Sequence, residues 1–172
     1  MSASAAMPYF IKPSVNLDRA AKTEAYEQAL MAIQANLEGE TDTTLKMATI
    51  NCLLKTYLPY YYWVGFYVKS GERQLSVGPY QGTLGCLHIS YDKGVCGRAA
   101  REEKTQIVPD THALQQGTDH IACDPNSCSE IVVPVFGKDG ALTAVFDVDS
   151  TLKDSFDEVD QKYLERLMKG VF

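Results

Sequence analysis

The dipeptide Asp139-Gly140 lies between two β-rich runs, Ser129 to Phe136 and Ala141 to Asp149, and it restricts the chain more than any other feature. Aspartate followed by glycine readily takes the left-handed backbone that a two-residue hairpin loop demands, so the two runs pair antiparallel. With Asp139 and Gly140 as the loop, Lys138 faces Ala141, and counting outward sets Glu130 opposite Asp149 and Val132 opposite Asp147. Side chains alternate along a strand, so Glu130, Asp147 and Asp149 share one face. A four-residue loop would pair Glu130 with Asp147 and keep the three together, whereas a one-residue bulge would part them. Like charges across a ladder repel, so this face requires a cation, a shared proton or full solvation.

The flanking segments complete an α+β outline. From Leu17 to Leu37, the residues Tyr26, Leu30, Ile33 and Leu37 recur at helical spacing. Beyond Gly39, where Thr41 or Asp42 can cap, Leu45, Ala48, Cys52 and Leu53 begin a second helix that ends near Pro59, with Cys52 as a core thiol on its apolar face. Tyr61 to Val68 reads as a strand that places Tyr61, Trp63, Gly65 and Tyr67 on one side. Trp63 and Tyr67 flank Gly65, which leaves either a gap between two rings for a small ligand or a packed sheet face under a helix. A turn at Ser70-Gly71 leads to a strand over Gln74 to Val77. Asp92 to Arg101 reads as a turn into a short helix with Cys96 near its N-terminus, where the dipole favours a thiolate, and Gly94 and Gly97 allow close approach to a ligand. A polar loop from Thr111 to Asp119 leads to Cys123, a position suited to function rather than packing. Ser155-Phe156-Asp157-Glu158 has the capping-box pattern ahead of a last helix. The expected fold is a single α+β domain over residues 17–172, a central antiparallel sheet flanked by helices, behind an N-terminal extension of residues 1–16.

Charge and cysteine usage narrow the function. Sixteen basic against 22 acidic residues give a net charge of -6, which disfavours nucleic acid as a partner. The apolar runs are too short to span a bilayer, and the first residues lack a secretory signal, so a soluble, cytoplasmic protein acting on a small molecule is expected. Five cysteines in a reducing compartment are packing groups, metal ligands or catalysts. Cys86, Cys96 and Cys123 fall in the loop-rich middle third, and thiols beside acids suggest redox chemistry. His120, Cys123, Cys128 and Cys86 admit a zinc reading, although no C-x-x-C pair fixes a structural site. His88 and His112 read as polar loop residues.

In combination, YYWVGFYV (61 to 68), LSVGPYQG (75 to 82), GVCG (94 to 97), HIACD (120 to 124), SEIVVPV (129 to 135) and VFDVDS (145 to 150) resemble the free methionine-(R)-sulfoxide reductases, single-domain enzymes of GAF fold. The resemblance runs from about Leu17 to the C-terminus. It implies reduction of the R-sulfoxide of free methionine by thiols and regeneration by a thioredoxin-like reductant, with no cofactor and no metal. By the same resemblance Cys123 is the nucleophile and Cys86 and Cys96 are the other two cysteines, with Cys86 favoured as the resolving thiol. Glu130, Asp147 and Asp149 are then the pocket acids, and Trp63 and Tyr67 the aromatic wall. A homodimer is a candidate assembly. A non-catalytic GAF sensor of a small ligand is the alternative on the same fold.

Overall fold

The computed structural model describes residues 12–114 and 124–172. Six antiparallel strands, β1 (Trp63–Gly71), β2 (Gln74–Gln81), β3 (His88–Ser90), β4 (Gln106–Val108), β5 (Ser129–Phe136) and β6 (Leu142–Ser150), form one sheet in the order β3-β2-β1-β6-β5-β4. Helices α1 (Arg19–Leu37), α2 (Thr43–Tyr57) and α4 (Glu158–Val171) pack on one face of the sheet, and α3 (Gly94–Glu102) on the other. The core is therefore split. Ile33, Leu54, Phe66, Phe146 and Leu164 fill the layer under the three helices, while Trp63, Tyr67, Ile89, Val95 and Val132 fill the layer under α3.

Aspartates start α1, α2 and α4 because a short carboxylate can take the N–H groups that the first turn leaves unpaired. Asp18 accepts from Ala21 N at 2.9 Å, and Asp42, not Thr41, accepts from Leu45 N at 2.9 Å. The cap of α4 falls two residues later than the sequence pattern suggests. Asp157 takes Val159 N and Asp160 takes Asp157 N back, both at 2.8 Å, because the Ser155 hydroxyl is committed to Ser150 Oγ at 2.7 Å. The second helix is also rotated from expectation. Met47, Ile50, Asn51 and Leu54 face inward, with Asn51 donating to the Pro79 carbonyl at 2.7 Å, and this turns Cys52 outward as an exposed thiol rather than a core one. Ahead of α1, Ser14 and Val15 are already bonded into the body, Ser14 N to Thr151 Oγ1 at 3.0 Å and Val15 N to the Pro59 carbonyl at 3.2 Å.

The β5–β6 hairpin reaches the expected register by an unexpected route. Its loop is three residues, not two: Gly137 N donates to the Ala141 carbonyl at 2.9 Å, and Gly140 sits at φ +79°. That loop alone would shift every later pair by one residue and turn Glu130 away from the other acids. Between Val135↔Ala144 and Phe136↔Leu142, however, the ladder carries an irregularity that leaves Thr143 as an extra residue, its hydroxyl donating to the Val135 carbonyl at 3.2 Å. The added loop residue and the bulge offset one another. Glu130 pairs with Asp149 and Val132 with Asp147.

Candidate active site

The floor of the site is built across three strands on the α3 side of the sheet. Trp63 on β1, Asp149 on β6 and Glu130 on β5 lie in one cross-strand row, and Gly65, Asp147 and Val132 in the next. The gap expected between Trp63 and Tyr67 is closed. The two rings stack on each other with centroids 5.7 Å apart, and Tyr80 stacks on the indole at 5.2 Å. Gly65 makes this possible, since a methyl group there would meet the indole at 2.7 Å. The indole N–H donates to the Thr83 carbonyl at 2.9 Å, so the aromatic wall is a fixed plate rather than a slot. The period-two reading also fails ahead of the strand: Tyr61 enters the three-helix core and Tyr62 the α3 layer, because pairing with β6 begins only at Trp63.

Helix α3 lowers Cys96 onto the acids. Gly97 allows this approach by packing flush against the Ser90–Tyr91 backbone, so its missing side chain serves the helix contact and not a ligand. The Cys96 sulfur and carboxylate oxygens of Glu130 and Asp147 all lie within 4.8 Å of one another. The dipole does not acidify this thiol. Burial, and then the negative charges of Asp147, Glu130 and Asp149, push it well above the usual thiol range. Cys96 thus remains an S–H donor beside Asp147.

The three acids are held toward their protonated forms. Burial raises Glu130 well above the carboxylate range, Asp147 and Asp149 add to it, and Arg98 opposes it. Burial likewise raises Asp147, whose Oδ1 is enclosed without a hydrogen-bond partner among the described residues. Asp149 is pushed up to about 7 by burial, against a hydrogen bond donated by the Ser127 hydroxyl. Such a group can accept a substrate ammonium, take a cation, or pass a proton to an oxygen that leaves. Together with Ile89, Gly94 and Val95, these side chains enclose a cavity of about 50 Å³.

One wall of this cavity escaped the sequence reading. The segment Asp124 to Ser127 turns tightly, with Ser127 N donating to the Asp124 carbonyl at 3.2 Å, and this turn delivers Ser127 to Asp149. The run Asp124-Pro125-Asn126 is a recognisable turn signal that marks it. Cys86 is disulfide-bonded, whereas Cys52, Cys96 and Cys128 are free. Cys123 and His120 lie outside the described residues. His88 is exposed at the sheet edge on β3 and His112 is exposed in the 3₁₀ turn Thr111–Ala113.

A family model described as GAF domain matches residues 57–171. The free methionine-R-sulfoxide reductase of Saccharomyces cerevisiae is 38% identical over 154 residues, covering 86% of this chain and 84% of that protein. The Escherichia coli protein of the same name is 35% identical over 147 residues, with 86% of each chain covered. The fold superposes on the Neisseria meningitidis free methionine-R-sulfoxide reductase, solved in complex with its substrate, at a TM-score of 0.81 and 36% identity, covering 94% of this chain and 92% of that one. The stacked aromatic plate, the buried acids and the disulfide-bonded cysteine sit on the fold those enzymes share, and the chain belongs to the free methionine-R-sulfoxide reductases of the GAF family.

Proposed function

We propose that this enzyme, over residues 17–172, reduces the R-sulfoxide of free methionine in the cytoplasm, with Cys123 as the nucleophile. The observation that carries this reading is the trio of carboxyl groups, raised toward protonation, on the sheet face that also holds the aromatic plate. Trp63 and Tyr67 offer an apolar surface for the methyl and methylene groups of the substrate, while the acid that remains ionised receives its ammonium. The Cys123 thiolate attacks the sulfoxide sulfur, and a protonated acid supplies the departing oxygen with its proton. The hydroxyl so formed passes from the methionine sulfur to the Cys123 sulfur as the bond between the two sulfurs breaks, so methionine leaves, reduced by two electrons, and Cys123 becomes a sulfenic acid. A second thiol condenses with that sulfenic acid, releasing water and forming a disulfide. Cys86 is assigned this role, supported by its disulfide-bonded state and by the free thiols of Cys52, Cys96 and Cys128. Cys96, a buried S–H, lines the site. A thioredoxin-like dithiol returns the disulfide to two thiols. A ligand sensor on the same fold has no use for a disulfide beside this pocket.

The test is turnover of both sulfur epimers of free and peptide-bound methionine sulfoxide with a dithiol recycling system. Only the free R-epimer is expected to be consumed, because a peptide replaces the ammonium with a neutral amide. Comparable turnover of peptide-bound substrate overturns the assignment. Cys123→Ser is expected to abolish even the first turnover, whereas Cys86→Ser releases about one methionine per chain and then stalls.

A further inference from the structure

Asp124 differs from the other acids of the site. Its Oδ2 accepts from the Tyr62 hydroxyl at 2.6 Å and the Thr83 hydroxyl at 2.5 Å, and its Oδ1 from Asn126 N at 2.9 Å and Asn126 Nδ2 at 2.8 Å. Burial opposes ionisation here, yet the bonds from Thr83, Tyr62 and Asn126 prevail and hold the carboxyl below the usual carboxylate range. A carboxylate with both oxygens occupied by short, charge-assisted bonds is poorly placed to receive substrate or donate a proton. Its partners indicate another use. Thr83 precedes Cys86 by three residues on the loop after β2, and Asp124 directly follows Cys123. Thr83 is itself fixed from below, because its carbonyl takes the Trp63 indole N–H at 2.9 Å. The Asp124 carboxylate therefore ties the residue that directly follows Cys123 to the loop that carries Cys86 and, through Thr83, to the aromatic plate.

We propose that Asp124 is a positioning residue for disulfide formation: through Thr83 and Tyr62 it holds the residue that directly follows Cys123 against the Cys86 loop. This inference rests on the function proposed above and concerns only its second chemical step. In that step the Cys86 sulfur attacks the Cys123 sulfenic acid, the S–S bond forms, the S–O bond breaks, and the hydroxyl leaves as water with the proton of the thiol. No outside oxidant or reductant is needed. The rate depends on how often one sulfur meets the other, which is an effective concentration that a tie between the two segments raises.

Thr83→Val is the cleaner probe, since it removes one tie and keeps the backbone carbonyl that receives Trp63. Asp124→Ala removes both ties but also a charge beside Asp149. Reduced enzyme is mixed with one equivalent of free methionine R-sulfoxide. Methionine release, sulfenic acid trapped by dimedone and disulfide read by alkylation and mass are followed together. In Thr83→Val, methionine release should match the wild type while disulfide formation slows about tenfold and trapped sulfenic acid accumulates, as a loss of effective concentration requires. Asp124→Ala should slow the second step at least as much. Unchanged disulfide formation in Thr83→Val overturns the proposal, and so does an equal slowing of both steps, which would mark a general structural role. Should Asp124→Ala fail to fold, Thr83→Val decides alone. A wild-type enzyme that releases no methionine would instead refute the function, a result distinct from either.

Discussion

Glu130 and Asp147 are buried and Asp149 half-buried, and all three are displaced toward the protonated form by burial before any other cause. For Asp149 the sign of the consequence is fixed. The unfolded carboxyl releases its proton near pH 4 and the folded one at about 7, so between those values the folded state binds more protons and stability falls as pH rises. Urea midpoints measured at pH 5 and pH 8 should therefore decline less in Asp149→Asn than in the wild type; equal declines would place the proton elsewhere. The same logic governs substitution at neutral pH. Glu130→Gln, Asp147→Asn and Asp149→Asn each relieve repulsion, so urea midpoints should hold or rise, while single-turnover rates fall about 10² to 10³-fold, the usual loss of one transition-state partner. Reduced stability with near-normal turnover in all three would make the acids structural.

At the scale of elements, the hairpin and the β1 strand show how backbone features position the side chains proposed to perform chemistry. The extra loop residue and the Thr143 bulge together bring Glu130 into register with Asp149, and neither alone would. Two glycines on these elements differ in what they protect. Gly140 at φ +79° has open space around its Cα, so Gly140→Ala meets only backbone strain, roughly 1–2 kcal/mol, and should leave the first turnover intact. Gly65→Ala drives a methyl group into Tyr80 and the Trp63 indole. Overpacking of this kind costs about 1–3 kcal/mol, and displacing the aromatic plate should also raise KM for the sulfoxide. Denaturant melts and single-turnover titrations distinguish the two variants; a Gly65→Ala enzyme with unchanged KM would show that the plate does not contact substrate.

For the molecule as a whole, the sheet separates a layer that stabilises from the layer that holds the proposed site. The helix side contains its own polar centre: Lys22 Nζ donates to Asp160 Oδ2 at 2.7 Å, to the Ser155 carbonyl at 2.9 Å and to Asp157 Oδ2 at 3.0 Å, while Tyr26 and Tyr60 donate to Asp160 Oδ1 at 2.7 and 2.6 Å. This network joins α1 to the capping box of α4 and, among the described residues, shares no hydrogen bond with Glu130, Asp147 or Asp149. Lys22→Met would leave Asp160 buried and short of its cation, a loss of about 3–5 kcal/mol for a broken buried pair. Urea unfolding should show that loss, while the first turnover of the folded fraction stays at the wild-type rate. A fall in both would mean that the two faces are coupled.

Local rules made much of this protein legible in its sequence. The Asp-Gly turn, the helical spacing of Tyr26, Ile33 and Leu37 and the Asp42 cap arise between near neighbours, whereas Glu130, Asp147 and Asp149 share a face only because the longer loop and the Thr143 bulge offset one another. The remainder depended on contacts between distant segments. Cys52 turned outward because Asn51 found the Pro79 carbonyl, and Trp63 closed onto Tyr67 because Tyr80 on the neighbouring strand pressed from behind. Cys96 carries the helix-terminal signal of an acidic thiol, but the sheet beneath it supplies burial and negative charge, which outweigh a dipole that acts over only one turn. The Asp124 tie joins residues 41 and 62 positions apart, a separation at which no sequence period operates and only tertiary packing decides what meets.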